Sequence, residues 1–112
     1  MKIIVKHMEM NRETGAVEGF TPVALVDAYA FNEVEEALEY AYRYTNNVDG
    51  SWSMKIGADA NDDVTVLAPL HVTKDGRTMG LRSSMMGDRF EVDGVDYRVA
   101  AFGFKKVELE TA

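Results

Sequence analysis

The chain has 112 residues, 46% of them hydrophobic, no cysteine and a formal net charge of −7. This length is typical of one domain, and the lack of cysteine excludes disulfides, thiolate nucleophiles and the usual structural zinc sites. No apolar stretch approaches the roughly 20 residues of a membrane helix, and Met1 is not followed by a signal-peptide pattern. We therefore expect one domain over residues 1–112, in a reducing cytoplasm and without a membrane segment.

The negative charge is concentrated in one half of the chain. Residues 9–63 carry twelve acidic side chains against Arg12, Arg43 and Lys55, a net charge of −9, whereas residues 64–112 are balanced. An acidic half repels phosphate backbones, so direct nucleic-acid binding is disfavoured, and it attracts basic surfaces. Acidic surfaces also serve solubility alone, so the charge by itself does not establish a partner.

The N-terminal part of the chain predicts two strands. Residues 2–8 (KIIVKHM) are β-branched and flanked by lysines that suit a sheet edge. A turn is predicted at 13–15, and a second strand over 23–29 follows Pro22.

One helix is predicted to begin at Asn32, a favourable N-cap residue, with Glu35 completing a capping-box pattern. Apolar or small residues recur at helical spacing and predict one buried stripe, formed by Val34, Ala37, Leu38, Ala41 and Thr45. The helix is expected to end near Asn46 and Asn47, because asparagine tolerates the left-handed C-cap conformation.

The C-terminal half predicts short strands and hairpins. The strands are expected at 53–56, 64–67, 70–73, 78–82 and 105–109, with a bend at Gly103 before the last one. Asp93-Gly94 between alternating runs predicts a type I′ turn that pairs Val92 with Val95. The fold class is therefore α+β: an antiparallel sheet of about six to seven short strands, with C-terminal β-hairpins, packed against one main α-helix.

The histidines and the acidic loop offer weak chemical signals. His7 and His71 lie in apolar segments without metal-binding spacing, so we expect structural roles for both. Residues 59–63 (DANDD) begin like a calcium loop, but Val64 and Leu70 stand where that loop needs glycine and glutamate. We expect a solvated acidic loop, and neither catalytic residues, cofactor nor metal.

Three other features are open to a functional and a structural interpretation. Ser83 and Ser84 lie outside any G-x-S-x-G pattern, and a turn explains the segment equally well. Tyr40, Tyr44 and Trp52 resemble a base-stacking set, but they lie among acids, which favours a core margin or a protein contact. The seven methionines are expected mainly as adaptable core filler.

Two stretches of the chain carry a distinctive pattern. The first is 44–52 (YTNNVDGSW), and the second runs from RSSMMGD at 82–88 through VDGVDYRV at 92–99 to a Gly-Phe pair at 103–104. Together they resemble a family of small uncharacterised proteins of phages and other mobile elements. This sequence departs from the pattern at Met85 and Met86, where a small polar residue and valine are expected. The resemblance implies a phage or mobile-element context and, if phage-encoded, the host cytoplasm. It implies no catalytic residue or ligand.

We therefore expect a small acidic accessory protein without enzymatic activity that contacts another protein, from the host or the phage. The alternatives are an acidic nucleic-acid mimic that inhibits a host defence enzyme and a homo-oligomeric virion or assembly subunit. An enzyme or ligand-binding site assembled from distant residues, around 82–88 and Trp52, also stays open. The candidate interaction surface comprises Glu33, Glu36, Glu39, Tyr40, Tyr44, Trp52, Arg82, Ser83 and Asp88.

Overall fold

A computed structural model describes residues 1–108 of the chain. Its elements in chain order are β1 (Lys2–Met10), β2 (Val17–Asp27), α1 (Val34–Arg43), a 3₁₀ turn (Gly57–Asp59), β3 (Val64–Val66), β4 (His71–Val72), β5 (Thr78–Met79), β6 (Arg89–Val92), β7 (Val95–Val99) and β8 (Phe104–Lys106).

Six strands form one antiparallel sheet in the order β3-β2-β1-β6-β7-β8. The central β1–β6 pair joins an N-terminal meander, β1 to β3, to a C-terminal meander, β6 to β8. Strands β4 and β5 pair separately as a small hairpin. The α+β prediction is confirmed at this level, since one α-helix accompanies an antiparallel sheet.

Helix α1 covers one face of the sheet. Ile3, Val5 and Phe90 are buried beneath it, and so are four residues of the predicted helical stripe, Ala37, Leu38, Ala41 and Thr45. The fifth, Val34, is half-buried. With 10 residues, α1 is the longest helix in the described part of the chain, and no helix there could cross a membrane.

The β6–β7 hairpin has the predicted register. Asp93 and Gly94 have φ values of 50° and 80°, the left-handed geometry that a type I′ turn requires. The pairing places Glu91 opposite Asp96 on the face away from α1. Lys6 of β1 neutralises this like-charge pair, because its Nζ lies 3.0 Å from Glu91 and 2.6 Å from Asp96.

Two boundaries differ from the prediction near the first turn. Strand β2 begins at Val17, because β1 continues to Met10 and supplies pairing partners along this length. Pro22 lies at a register shift within β2, where a missing amide is tolerated.

The predicted N-cap of the helix, Asn32, is wrong: Glu33 occupies that position, and no side chain caps the helix.

The strand predicted at 53–56 is wrong. Ser51 and Ile56 exchange two backbone hydrogen bonds, of 3.2 and 2.9 Å, and the chain between them turns back with Lys55 at a φ of 56°. The last strand is shorter than predicted: β8 covers Phe104–Lys106, and Leu109 lies outside the described residues.

Candidate functional site

The nine predicted surface residues fall into two groups. Five lie on α1 or beside its ends: Glu33, Glu36, Glu39, Tyr40 and Tyr44. The other four belong to a polar cluster that joins β1, the loop after α1 and the turn before β6: Trp52, Arg82, Ser83 and Asp88. Within residues 1–108 no hydrogen bond or ion pair joins the two groups.

Asp88 is the charged centre of the polar cluster and is fully buried. Its two carboxylate oxygens accept a bidentate pair of hydrogen bonds from Arg82, both at 2.8 Å. They also accept from the backbone amides of Met8 at 2.9 Å and Met85 at 2.8 Å. Burial acts to raise the pKa of Asp88, but these donors outweigh it and hold the pKa below its ordinary value.

A directed chain of hydrogen bonds runs beside this carboxylate. Thr45 Oγ1 donates to the carbonyl of Ala41 at 2.8 Å, so it can only accept from the Ser84 hydroxyl, 2.7 Å away. Because the only hydroxyl proton of Ser84 is used in that bond, Ser84 Oγ accepts a hydrogen bond from His7 Nε2 at 3.0 Å. His7 therefore carries its proton on Nε2, an assignment inferred from the network.

His7, Ser84 and Asp88 do not form a catalytic triad. A triad base accepts a proton from serine at one ring nitrogen and donates to a carboxylate from the other. Here Nε2 faces both Ser84 Oγ, at 3.0 Å, and Asp88 Oδ2, at 3.9 Å. Burial lowers the His7 pKa to about 4, so the ring is neutral near pH 7.

Trp52 connects residues 44–52 with residues 82–88. Its indole Nε1 donates to the Arg82 carbonyl at 2.9 Å, and its ring meets His7 edge-on with centroids 6.2 Å apart. Asn47 completes the connection, because its backbone N–H donates to Ser83 Oγ at 2.8 Å, while its side-chain Oδ1 accepts from the backbone N–H of Trp52 at 3.0 Å. Residues 44–52 and 82–88 therefore form one structural unit.

Asp59 corrects the expectation of a solvated acidic loop. It is fully buried, and its Oδ2 accepts from three consecutive backbone amides, 48–50, at 2.6 to 2.9 Å. Its Oδ1 accepts from Arg43 at 3.0 Å. Burial acts to raise the pKa of Asp59, but these donors lower it below its usual value. Asp59 thus fixes the loop after α1, whereas Asp62 is exposed as expected.

The burial of Trp52 and Asp88 contradicts their assignment to an interaction surface. Both side chains are fully buried, since the indole fills the space below His7 and the carboxylate is enclosed by its four donors. Ser83 is half-buried and holds Asn47, while Arg82 is partly exposed and holds Asp88. This group holds the fold together and presents little to a partner.

The five residues of the helix group differ in how exposed their side chains are. Glu33, Glu36 and Glu39 are exposed, as predicted. Tyr40 and Tyr44 are half-buried and contact each other with ring centroids 5.1 Å apart. Burial and the hydrogen bond from the Tyr40 hydroxyl to an aspartate of the 59–63 loop raise the pKa of that tyrosine.

A groove that the sequence did not predict runs between α1 and the turn joining β7 to β8. Its volume is about 440 Å³. Its apolar part is formed by Tyr42, Val99 and Phe104, and Glu39 lies on its helix wall. Tyr42 and Phe104 meet edge-on in the groove, with ring centroids 6.2 Å apart.

Phe102 stands at the rim of this groove and is 95% exposed. It lies in a tight turn in which the Ala100 amide donates to the Gly103 carbonyl at 3.0 Å, and Gly103 has a φ of 71°. The sequence predicted a bend at Gly103 but assigned no role to the phenylalanine before it. A large aromatic residue in a tight turn was the signal that could have identified it.

The methionine prediction is wrong for most of these residues. Five of the seven are exposed rather than core filler: Met10, Met54, Met79, Met85 and Met86. The core is instead filled by valine, isoleucine and alanine beneath a short helix.

No protein-family model, curated protein or solved structure matches this chain. Within residues 1–108, no group of three or more histidine, aspartate or glutamate side chains is placed to hold a metal ion. The geometry of the cluster and of the groove is therefore the basis for the functional argument.

Proposed function

We propose that the chain is a non-enzymatic protein-interaction module that binds through the groove and Phe102. We name this surface the docking face and define it by Phe102, the groove residues Tyr42, Val99 and Phe104, and Glu39 on the helix wall. The observation that carries the proposal is the 95% exposure of Phe102 beside a largely apolar groove.

The physical reason is the cost of leaving a phenylalanine ring in water. Full burial of such a side chain contributes about 1.5 to 3 kcal/mol, and aromatic residues dominate the energetics of many interfaces. Phe102 contributes little to the fold because it has almost no burial. A partner that covers it would recover that free energy, which supports a binding role for this position.

The character of the polar cluster also supports a non-enzymatic role. Asp88 has four hydrogen-bond donors, and Ser84 both donates and accepts within the cluster. Catalytic groups must reach a substrate, whereas these groups are buried and paired with the protein itself. The cluster instead joins distant parts of the chain.

A second candidate is the acidic mimic of nucleic acid. It is favoured by the exposure of four glutamates within α1 or at its N-cap, Glu33, Glu35, Glu36 and Glu39, none of which forms an ion pair within residues 1–108. The two candidates differ in salt dependence: binding through the glutamates weakens steeply with salt, and binding through Phe102 persists. In the context that the resemblance implies, the partner is a host or phage protein in either case.

Site-specific photocrosslinking in the source cells tests the proposal. A photoreactive phenylalanine analogue at position 102 should form a discrete adduct, identified by mass spectrometry. The matched control is the same analogue at Tyr29, an aromatic residue that is 72% exposed and outside the docking face. Adducts at 102 alone support the proposal, and equal yields or no adduct at either position would overturn it.

A further inference from the structure

We propose that the docking face binds a second copy of this chain, with Phe102 of each copy seated in the groove of the other. The inference rests on the proposed function and names its partner. It starts from the proximity of two complementary features: an exposed aromatic side chain and an apolar groove belong to the same turn. Ala101 and Gly103, on either side of Phe102, both line the groove.

In a twofold-symmetric dimer, each copy can use both its exposed phenylalanine and its groove. In a symmetric dimer the same patch contacts itself, so a projecting group and a recess on one patch are each satisfied by the other copy. Phe102 lies at the rim of the groove and outside it, as its 95% exposure requires. A twofold axis near the rim would place each ring against Tyr42, Val99 and Phe104 of the other copy.

The charges around the docking face are complementary to themselves. Glu35 and Glu39 lie on the helix side of the face, and Glu35 Oε1 is 3.5 Å from the Cβ position of a side chain at Gly103. Lys106 follows the same turn on β8, is exposed and shares the face of Phe104, because it pairs with Tyr97. Lys105 pairs with Arg98 on the opposite face, and Arg43, which also lines the groove, is paired with Asp59. Within residues 1–108 the side chains of Glu35, Glu39 and Lys106 form no ion pair.

In a Phe102-into-groove dimer, Lys106 of each copy approaches Glu35 and Glu39 of the other, so opposite charges meet across the contact. The charges also disfavour the other symmetric contact, in which β8 pairs edge to edge with β8. That pairing would set Lys105 and Lys106 against their own copies, which is how sheet edges are protected from association.

Sedimentation analysis of the whole chain tests the dimer. We expect the apparent mass to rise from 12.5 kDa toward twice that value as concentration approaches about the millimolar range. Phe102→Ser should weaken self-association by about tenfold or more, because the ring supplies the main apolar contact. Tyr29→Ser, at another exposed aromatic residue, should leave it unchanged.

A charge-swap pair tests the geometry. One variant carries Glu35→Lys and Glu39→Lys, and the other carries Lys106→Glu. Each should be monomeric alone, since both contacts in its homodimer would bring like charges together. An equimolar mixture should form a 1:1 complex, in which both contacts are attractive. Adding Phe102→Ser to both variants should abolish that complex, which separates the docking contact from general attraction.

The outcomes also separate this inference from the proposed function. A wild-type chain that stays at 12.5 kDa throughout, with no complex in the mixture, overturns the second-copy inference. If position 102 then crosslinks to a different protein in cells, the proposed function stands with another partner. If position 102 forms no adduct at all, both proposals are wrong. Circular dichroism of every variant confirms that the fold is retained.

Discussion

The His7 imidazole donates from Nε2 to the hydroxyl of Ser84, 3.0 Å away and 77 positions later in the chain. Both side chains are buried, and the bond joins β1 to the turn before β6. The Ser84 hydroxyl in turn donates to Thr45 Oγ1, which donates to the carbonyl of Ala41. The neutral His7, with its proton on Nε2, therefore helps to hold the sheet against the end of α1.

This arrangement predicts that stability falls as the pH decreases from about 6.5 to about 4. The unfolded chain protonates His7 below about 6.5, whereas burial lowers the pKa in the fold to about 4. Between these values the unfolded state binds more protons than the folded state, so the free energy of unfolding falls as the pH falls. The total loss is about 3 kcal/mol. Asp88 acts in a separate window, because its lowered pKa removes stability only below about 4.

Urea denaturation of His7→Gln across this pH range measures the effect. Glutamine keeps a donor for Ser84 but does not titrate, so the variant should lose most of the slope between pH 6.5 and 4. His71→Gln is the matched control, because His71 is exposed on β4, and it should keep the wild-type slope. An unchanged slope in His7→Gln would show that other groups carry the pH dependence.

A second prediction concerns the Arg82–Asp88 pair. Arg82→Ala leaves the fully buried carboxylate of Asp88 with only its two backbone donors. Breaking such a pair from one side costs about 3 kcal/mol, because a buried charge loses its compensation. Arg77→Ala removes an exposed partner of Asp75 instead and should have little effect. Chemical denaturation should show a lower free energy of unfolding for Arg82→Ala and an almost unchanged value for Arg77→Ala.

Local patterns were sufficient to predict several elements of this fold. The Asp93-Gly94 turn fixed the β6–β7 register, and the spacing of Ala37, Leu38 and Ala41 identified the buried side of α1. Both signals depend on neighbours a few residues apart, where backbone geometry decides the outcome.

The polar cluster could not be predicted, because its contacts join distant parts of the chain. Trp52 and Arg82 are 30 positions apart, and Met8 and Asp88 are 80 apart. In the structure, these contacts hold the segments around Trp52 and Asp88 in place against each other. The groove was missed for the same reason, since it forms only where the edge of α1 passes over β7 and β8.

A third prediction concerns Asp59. Asp59→Asn should release the backbone amides of 48–50, because an uncharged amide oxygen accepts more weakly than the carboxylate and no longer pairs with Arg43. Hydrogen exchange of these three amides should accelerate strongly. Asp62→Asn, at an exposed position in the same loop, should leave their exchange unchanged. Equal protection in both variants would contradict the assigned role.

The last prediction separates two glycines by the space around them. A methyl group on Gly50 would lie 2.2 Å from the carbonyl oxygen of Ile56, a backbone atom held by the Ser51–Ile56 bridge. Because that atom cannot move without opening the turn, Gly50→Ala should destabilise the fold by about 1 to 3 kcal/mol. Gly19→Ala is the control, since nothing lies within 4 Å of its added methyl group. Thermal denaturation should show a lowered Tm for Gly50→Ala alone, and an equal loss in both variants would contradict the contact with Ile56 as its cause.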